Sequence, residues 1–375
     1  MSSAAPYQQA LQKIIDEIIA PTAAEVDREA RFPRPAIDAM SAAGLLGLIS
    51  AKEVGGMGEG MRAASYVVEK IAEACGSTAM VVCMHYSATA VIEKHGSDAV
   101  RRDIAAGKHL STLAFSEAGS RSHFWAPVGT AAQSNGHFLL DSKKSWITSA
   151  DEADSYVWSS KPVTAEGASS IWLVPRSAAG VSTVAPFDGL GLRGNGSSPV
   201  NGAQVKVVEA DRLGPDGGGF DVMMGVVLPL FQLLNASCSL GTMEASVKKS
   251  AAHVGGTKFA HLGQSLADLP TIRAYVARAR IRTDSVRALL GDTITALETG
   301  REDAMLRVLE IKAAAGEAAL EVTDYAMRVC GGAAFRKDVG VERHFRDARA
   351  ASVMAPTSDV LYDFIGKAAC GLPLF

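Results

Sequence analysis

The sequence has no run of like charge, no paired cysteines and no cluster of metal-ligating side chains. Its 37 Lys and Arg stand against 40 Asp and Glu, a formal charge of −3. With no basic stripe to interrupt that balance, nothing attracts a nucleic-acid partner. No Lys/Arg run points to an anionic membrane surface either. The five cysteines (Cys75, Cys83, Cys238, Cys330 and Cys370) are odd in number and irregularly spaced. None makes a C-x-x-C pair and no histidine clusters with them. That pattern argues against a disulfide framework and structural zinc, and for a reduced, cytoplasmic compartment. The N-terminus lacks a basic region followed by an apolar stretch, so no secretory leader is expected. Internal repeats and low-complexity linkers are absent as well.

One long uncharged run needs a decision. Val222 to Met243 contains no charged residue and is long enough to span a bilayer. Pro229, Gln232, Asn235, Ser237, Ser239 and Thr242 interrupt it, and its flanks are not basic. A helix buried inside a bundle can be apolar all round, and that reading fits better.

What is present fits a soluble globular chain. At 375 residues and 48% apolar composition, the sequence can bury a large core divided over two or three structural units. Residues 1–110 read as a helical domain, because apolar positions in ALQKIIDEIIA and MRAASYVVEKIAEAC recur every three or four residues. Gly44, Gly55-Gly56 and Gly96 punctuate it. The texture then changes. Asn135-Gly136 is a hairpin signal between TAAQ and HFLLD, and SYVWSS, SIWLVP and AQVKVVEA read as strands. Residues 111–215 are therefore expected to form a β domain. Helical periodicity returns over 216–375, where Met305, Leu309, Ala313, Gly316, Leu320 and Met327 form an apolar stripe that stops at Gly331-Gly332. The order predicts an α+β fold with segregated elements.

Six fragments in that order resemble the acyl-CoA dehydrogenase family over nearly the whole chain. They are GLLGLISAKEVGGMGEG, AFSEAGSRS, SKKSWITSADEADSYVW, GLGLRGNGSSP, DRLGPDGGGFDVMM and VCGGAAFRKDVGVERHFRDARAASVMAPTSD. The resemblance implies an N-terminal helical domain, a middle β domain and a C-terminal four-helix bundle. It also implies an FAD-dependent oxidoreductase that is a homodimer or homotetramer, acts on an acyl-CoA or carrier-protein thioester, and passes electrons to a transfer or reductase partner.

By the same resemblance, Phe115 and Ser116 contact the isoalloxazine edge and Ser122 holds the pyrophosphate. Trp146 packs on the ring and Thr148 bonds near its reactive nitrogen, where a donor and an apolar wall suit hydride transfer. Taken alone, Trp146 reads as a sheet-core aromatic and Thr148 as a β-former. Gly331 and Gly332 admit the adenosine part of a flavin from a neighbouring subunit, and Thr357 contacts its diphosphate. Arg328 replaces a usual Gln close to that turn. Arg343, Arg346 and Asp347 read as a structural ion-pair cluster.

The departures from the family pattern are as informative. Dehydrogenation of a thioester needs a carboxylate to take the α-proton. In many relatives it directly precedes Gly-Thr-Ser, where this sequence has Ala355-Pro356. The alternative position on the bundle helix is Phe231, and the arginine usual beside it is Gln232. Arg121 and Gly256 are further departures. Three readings follow. A dehydrogenase would take its base from Glu244 or Asp359. A flavin monooxygenase would need no such base and could use His123, with His85 the lesser candidate because a satisfied core histidine is the commoner state. A non-catalytic flavoprotein partner would need none of these.

Overall fold

The structure, a computed structural model, describes residues 4–121, 123–261 and 263–374. The chain divides into two compact units. The first holds residues 1–67, 80–189 and 193–231, and the second holds 68–79, 190–192 and 232–375.

In the first unit α1 (Pro6–Ile14) runs through a π-helical turn into α2 (Ala20–Glu29), followed by α3 (Arg34–Ala42). Next come α4 (Met61–Ala74), α5 (Gly76–His95) and α6 (Asp98–Ala105). The periodic segments in the sequence fall on α1–α2 and α4, and Gly44 and Gly55 take the positive φ that ends a turn. His85 on α5 is fully buried. Its Nε2 donates to the Leu46 carbonyl at 3.1 Å, and its Nδ1 accepts from the Ser111 N–H at 3.2 Å. Burial, set against those two backbone bonds, lowers its pKa to about 4. It is a neutral core histidine with both ring nitrogens used.

Seven strands follow, β1 (Ser111–Ala114), β2 (Thr130–Ser134), β3 (His137–Ile147), β4 (Ser155–Ser160), β5 (Ser170–Pro175), β6 (Val181–Thr183) and β7 (Ser198–Val207). They make two sheets, ordered β1-β4-β5 and β2-β3-β7-β6. Asn135 and Gly136, both at positive φ, close the β2–β3 hairpin in register Ser134↔His137, as the twist of a two-residue loop requires. Trp158, Trp172, Tyr156, Leu140, Val200 and Val205 lead the cluster that fills this core. Sequence periodicity missed β1. All four of its residues are buried, so it shows no alternation to read.

The rest of the chain is helical. A short α7 (Gly219–Val222), a π-helical turn and the first residues of α8 (Leu228–Gly256) are counted with the first unit, and α8 from residue 232, α9 (Pro270–Thr299), α10 (Ala304–Cys330), α11 (Val341–Val353) and α12 (Ser358–Ala369) with the second. Among the described residues one continuous helical stretch, Gly219–Gly256, is long and apolar enough to cross a membrane. Within its most apolar 18-residue window, 83% is buried inside the protein, which is how a core helix satisfies its apolar faces.

The stripe expected on α10 holds in part. Leu309, Ala313 and Gly316 are buried as expected, but Met305 is exposed and Leu320 and Met327 are half-buried, while Val308, Ile311, Ala315, Ala318, Val322, Ala326 and Val329 are buried outside the stripe. α10 packs against α9, α11 and α12, so it is buried on several faces. Its central row is built of small residues that a search for large apolar side chains passes over. Lys312 lies on that buried surface.

Candidate functional site

In the β unit the site is built around one buried ion pair. Glu117 follows β1, and its Oε2 accepts the N–H groups of Val128 (2.6 Å) and Gly129 (3.0 Å). Its Oε1 accepts Ser142 Oγ (2.9 Å) and the Lys144 ammonium (2.6 Å). Lys144, on β3, also donates to the Ser159 carbonyl and hydroxyl, and its Nζ lies 5.1 Å from the centre of the Trp158 ring. A Cβ at Gly129 would stand 2.5 Å from Ser142 Oγ and 3.0 Å from Glu117 Oε1, so this close approach needs glycine. Burial pushes the Glu117 carboxyl up, yet Lys144 and the backbone donors outweigh it and hold it below the usual range. For Lys144 burial dominates, and its pKa falls to about 8 despite Glu117. Both groups are therefore ionised at neutral pH, and every hydrogen-bonding direction of the pair is directed at a partner. The effect is to pin the 115–129 loop to β3.

Trp146 is displayed by that pinned strand. β3 loses register against β7 between Lys144 and Ile147, and Trp146 takes a φ of +58° in the irregularity. The bulge turns its side chain out of the pleat. The indole is 61% exposed and stacks on Phe187 with centroids 3.9 Å apart. A sheet-core aromatic would be buried, and this one is not. Thr148 is buried, with Oγ1 3.4 Å from Ser197 Oγ. Phe115 is buried and stacks on Phe124 at 6.4 Å. Ser116 is partly exposed, and its carbonyl accepts the Ser145 N–H. His123 is exposed in edge contact with Trp125 at 5.1 Å. Ser122 lies outside the described residues.

The helical unit carries the remaining candidates. α10 ends at Gly331, whose φ of +57° and ψ of −137° suit glycine, and no atom lies within 4 Å of where a Cβ would stand on Gly331 or Gly332. Both present bare backbone to open space. Arg328, one turn earlier, is exposed and pairs with Asp324 at 2.7 Å. Thr357 caps α12 by accepting the Val360 N–H, and Asp359 is exposed in that helix's first turn. Arg346 pairs with Glu342, Asp347 accepts the Leu192 N–H at 2.6 Å, and Arg343 donates to the Ala74 carbonyl. Those three side chains bind the unit together.

Glu244, on α8, is buried and held by two arginines, Arg280 (2.8 Å) and Arg287 (3.2 Å). Burial raises its pKa, but the Arg280 hydrogen bond and the surrounding positive charge leave it lowered. A carboxylate so engaged is a weak proton acceptor.

Beneath the turn that carries Ala355 sits a group the sequence reading did not single out. The Lys312 ammonium donates to the carbonyls of Ala351 (2.9 Å), Met354 (3.1 Å) and Pro356 (2.8 Å). Burial alone lowers its pKa to about 7. On α8, Asn235 Nδ2 reaches the Met354 sulfur at 3.4 Å, and fully buried Gln232 has no partner for either amide atom among the described residues. A lysine in a run of alanines was the one available signal for Lys312. Glu117 and Lys144 stood inside quoted motifs, but nothing in their spacing announced a pair.

The β unit thus ties Phe115 and Ser116 to β3 beside Trp146 through the Ser145 N–H, with Thr148 turned to Ser197 just past the strand, and the helical unit brings Thr357 and Asp359 to one helix start. Glu244 belongs to an arginine cluster instead. Within the β unit, an open indole face beside a pinned loop offers a surface on which a flat aromatic ring can stack.

Comparison with known proteins bears on the fold and the family. Residues 4–107, 112–205 and 217–370 match the family descriptions "Acyl-CoA dehydrogenase, N-terminal domain", "middle domain" and "C-terminal domain". The short-chain specific acyl-CoA dehydrogenase of Sus scrofa mitochondria is 26% identical over 361 residues, covering 94% of this chain and 86% of that protein. Butyryl-CoA dehydrogenase from Megasphaera elsdenii superposes with a TM-score of 0.91 at 20% identity, covering 99% of both chains. The prolyl acyl carrier protein oxidase AnaB superposes with a TM-score of 0.88 at 18% identity, covering 98% of this chain and 100% of that one.

Proposed function

From the premise that this chain belongs to the acyl-CoA dehydrogenase family, whose members are flavin oxidoreductases, we propose that it binds FAD and oxidises an acyl thioester at its α,β-carbons. The carrier is coenzyme A or an acyl carrier protein. The exposed indole of Trp146, held at positive φ beside the Glu117–Lys144 pair, is the observation that supports this reading most. Its open face suits a flavin ring, and the pinned loop would keep Phe115 and Ser116 at a fixed height beside it. By the family resemblance, Gly331 and Gly332 would admit the adenosine portion of a flavin held by a neighbouring subunit, and Thr357 would contact a flavin diphosphate. A bound flavin supplies the two-electron acceptor that no side chain here provides.

The proton is the harder question. Ala355 offers only a methyl group where many relatives place a carboxylate. Asp359 is exposed at the start of α12, whereas Glu244 is committed to Arg280 and Arg287, so we assign the base to Asp359. Ile281, Val353 and Phe335 are exposed on the helical unit, and large apolar side chains of this kind suit a homodimer or homotetramer. Reduced flavin would then pass electrons to a transfer flavoprotein or a reductase.

Anaerobic titration of the FAD-loaded protein with acyl-CoA and acyl-carrier-protein thioesters tests this directly. Bleaching of the flavin band is expected, with Asp359→Asn slowing it at least about tenfold and Glu244→Gln slowing it less. The reverse ranking would move the base to Glu244. The alanine at the usual base position favours a second reading, a flavin monooxygenase. That reading requires no bleaching by any thioester, and substrate hydroxylation with oxygen uptake once an external reductant is supplied.

A further inference from the structure

The polar groups around the Met354–Pro356 turn are unevenly satisfied, and the imbalance has a direction. Lys312 takes the carbonyls of Ala351, Met354 and Pro356 from the α10 side. On α8, Gln232 and Asn235 stand one helical turn apart and share a face. Among the described residues, Gln232 Oε1, Gln232 Nε2 and Asn235 Oδ1 are buried without a partner, and Asn235 Nδ2 has the thioether of Met354, a weak acceptor. Other polar residues of the same helix are quiet, since Ser237 and Ser246 bond back to carbonyls one turn earlier. Buried amides without partners oppose folding, so a native fold that retains two of them calls for an explanation outside stability. Asn235 is covered by the flexible, partly exposed side chain of Met354.

We propose that Gln232 and Asn235 form a recognition site for an uncharged polar substituent on the acyl group, one that both donates and accepts hydrogen bonds, such as a hydroxyl or a carboxamide, and that Met354 is its displaceable cover. A charged substituent is disfavoured, because the amides offer no countercharge to a desolvated ion. This assignment rests on the thioester reading above and narrows its substrate class.

The test pairs a stability measurement with a selectivity measurement on the FAD-loaded protein. Dissociation constants for butyryl-CoA and 4-hydroxybutyryl-CoA are read from perturbation of the flavin spectrum, and thermal midpoints are read without ligand. Wild type should prefer the hydroxylated thioester. Gln232→Leu should shrink that preference by tenfold or more and raise the unliganded midpoint by about 1–3 °C, because orphan amide atoms are removed. Met354→Ala should strengthen binding of the hydroxylated thioester. A lowered midpoint in Gln232→Leu would show the amide to be satisfied by buried water and would overturn the proposal. So would an unchanged ratio of the two constants while both thioesters still bind, an outcome that leaves the dehydrogenase reading intact. Failure of both thioesters to bind would instead sink the thioester reading, and this site with it.

Discussion

The two units each bury a lysine, and they treat it in opposite ways. In the β unit Lys144 meets a carboxylate, a hydroxyl and a carbonyl, and its partner Glu117 is saturated with donors. In the helical unit Lys312 meets three carbonyls and, among the described residues, no countercharge, while three of the four amide atoms of Gln232 and Asn235 on α8 go unpaired. A buried polar network raises rigidity when every member is satisfied. A network left incomplete reserves its bonding capacity for a ligand or a movement. The first arrangement suits a loop that must stay in place, and the second leaves free the bonding capacity that the proposed recognition site would use.

Three substitutions would sharpen or break that comparison. The largest effect belongs to Glu117→Leu, which leaves the Lys144 ammonium without its countercharge and orphans the Val128 and Gly129 N–H groups. A loss of about 3–5 kcal/mol is expected for breaking such a pair, read by urea denaturation. A loss below about 1 kcal/mol would mean the pair is not the pin described above. Lys312→Met comes next, and its signature is a pH trend. Burial lowers the folded-state pKa of Lys312 to about 7 from an ordinary 10.5, so between those values the unfolded chain binds more protons than the folded one. Stability of the wild type relative to Lys312→Met should therefore rise with pH from about 7 to about 10.5, measured by denaturation at several pH values. A flat difference would show that Lys312 is solvated. Trp146→Ala should produce the smallest change in fold stability, within about 0.5 kcal/mol for an exposed side chain, while weakening retention of FAD on dialysis. A large stability loss with flavin retained would mark it as a packing residue.

Much of this was legible from the residues. Asn135-Gly136 announced its hairpin because positive φ at two successive positions restricts residue choice sharply. The uncharged 222–243 run announced a core helix. The SKKSWITSADEAD string announced the strand that carries Trp146, but not that the strand ends at Ile147 with Thr148 in the following turn, nor the opposite exposures of the two side chains. A register slip between Lys144 and Ile147 decides which of the two faces outward, and such a slip depends on the partner strand β7. The stripe on α10 was incomplete for a related reason, since a helix packed against three neighbours shows no single apolar face.

The sequence by itself determined the order of helical and β segments, their turn chemistry and the family motifs, because propensity, periodicity and glycine placement act over a few residues. Only the tertiary structure decided which charges lost their water. Glu117 and Lys144 are 27 residues apart, Lys312 and the Pro356 carbonyl 44 apart, and Glu244 and Arg287 43 apart. Whether each charge is neutralised, merely solvated by carbonyls or engaged by arginine depends on what packing places within about 3 Å of it. No local pattern carries that information.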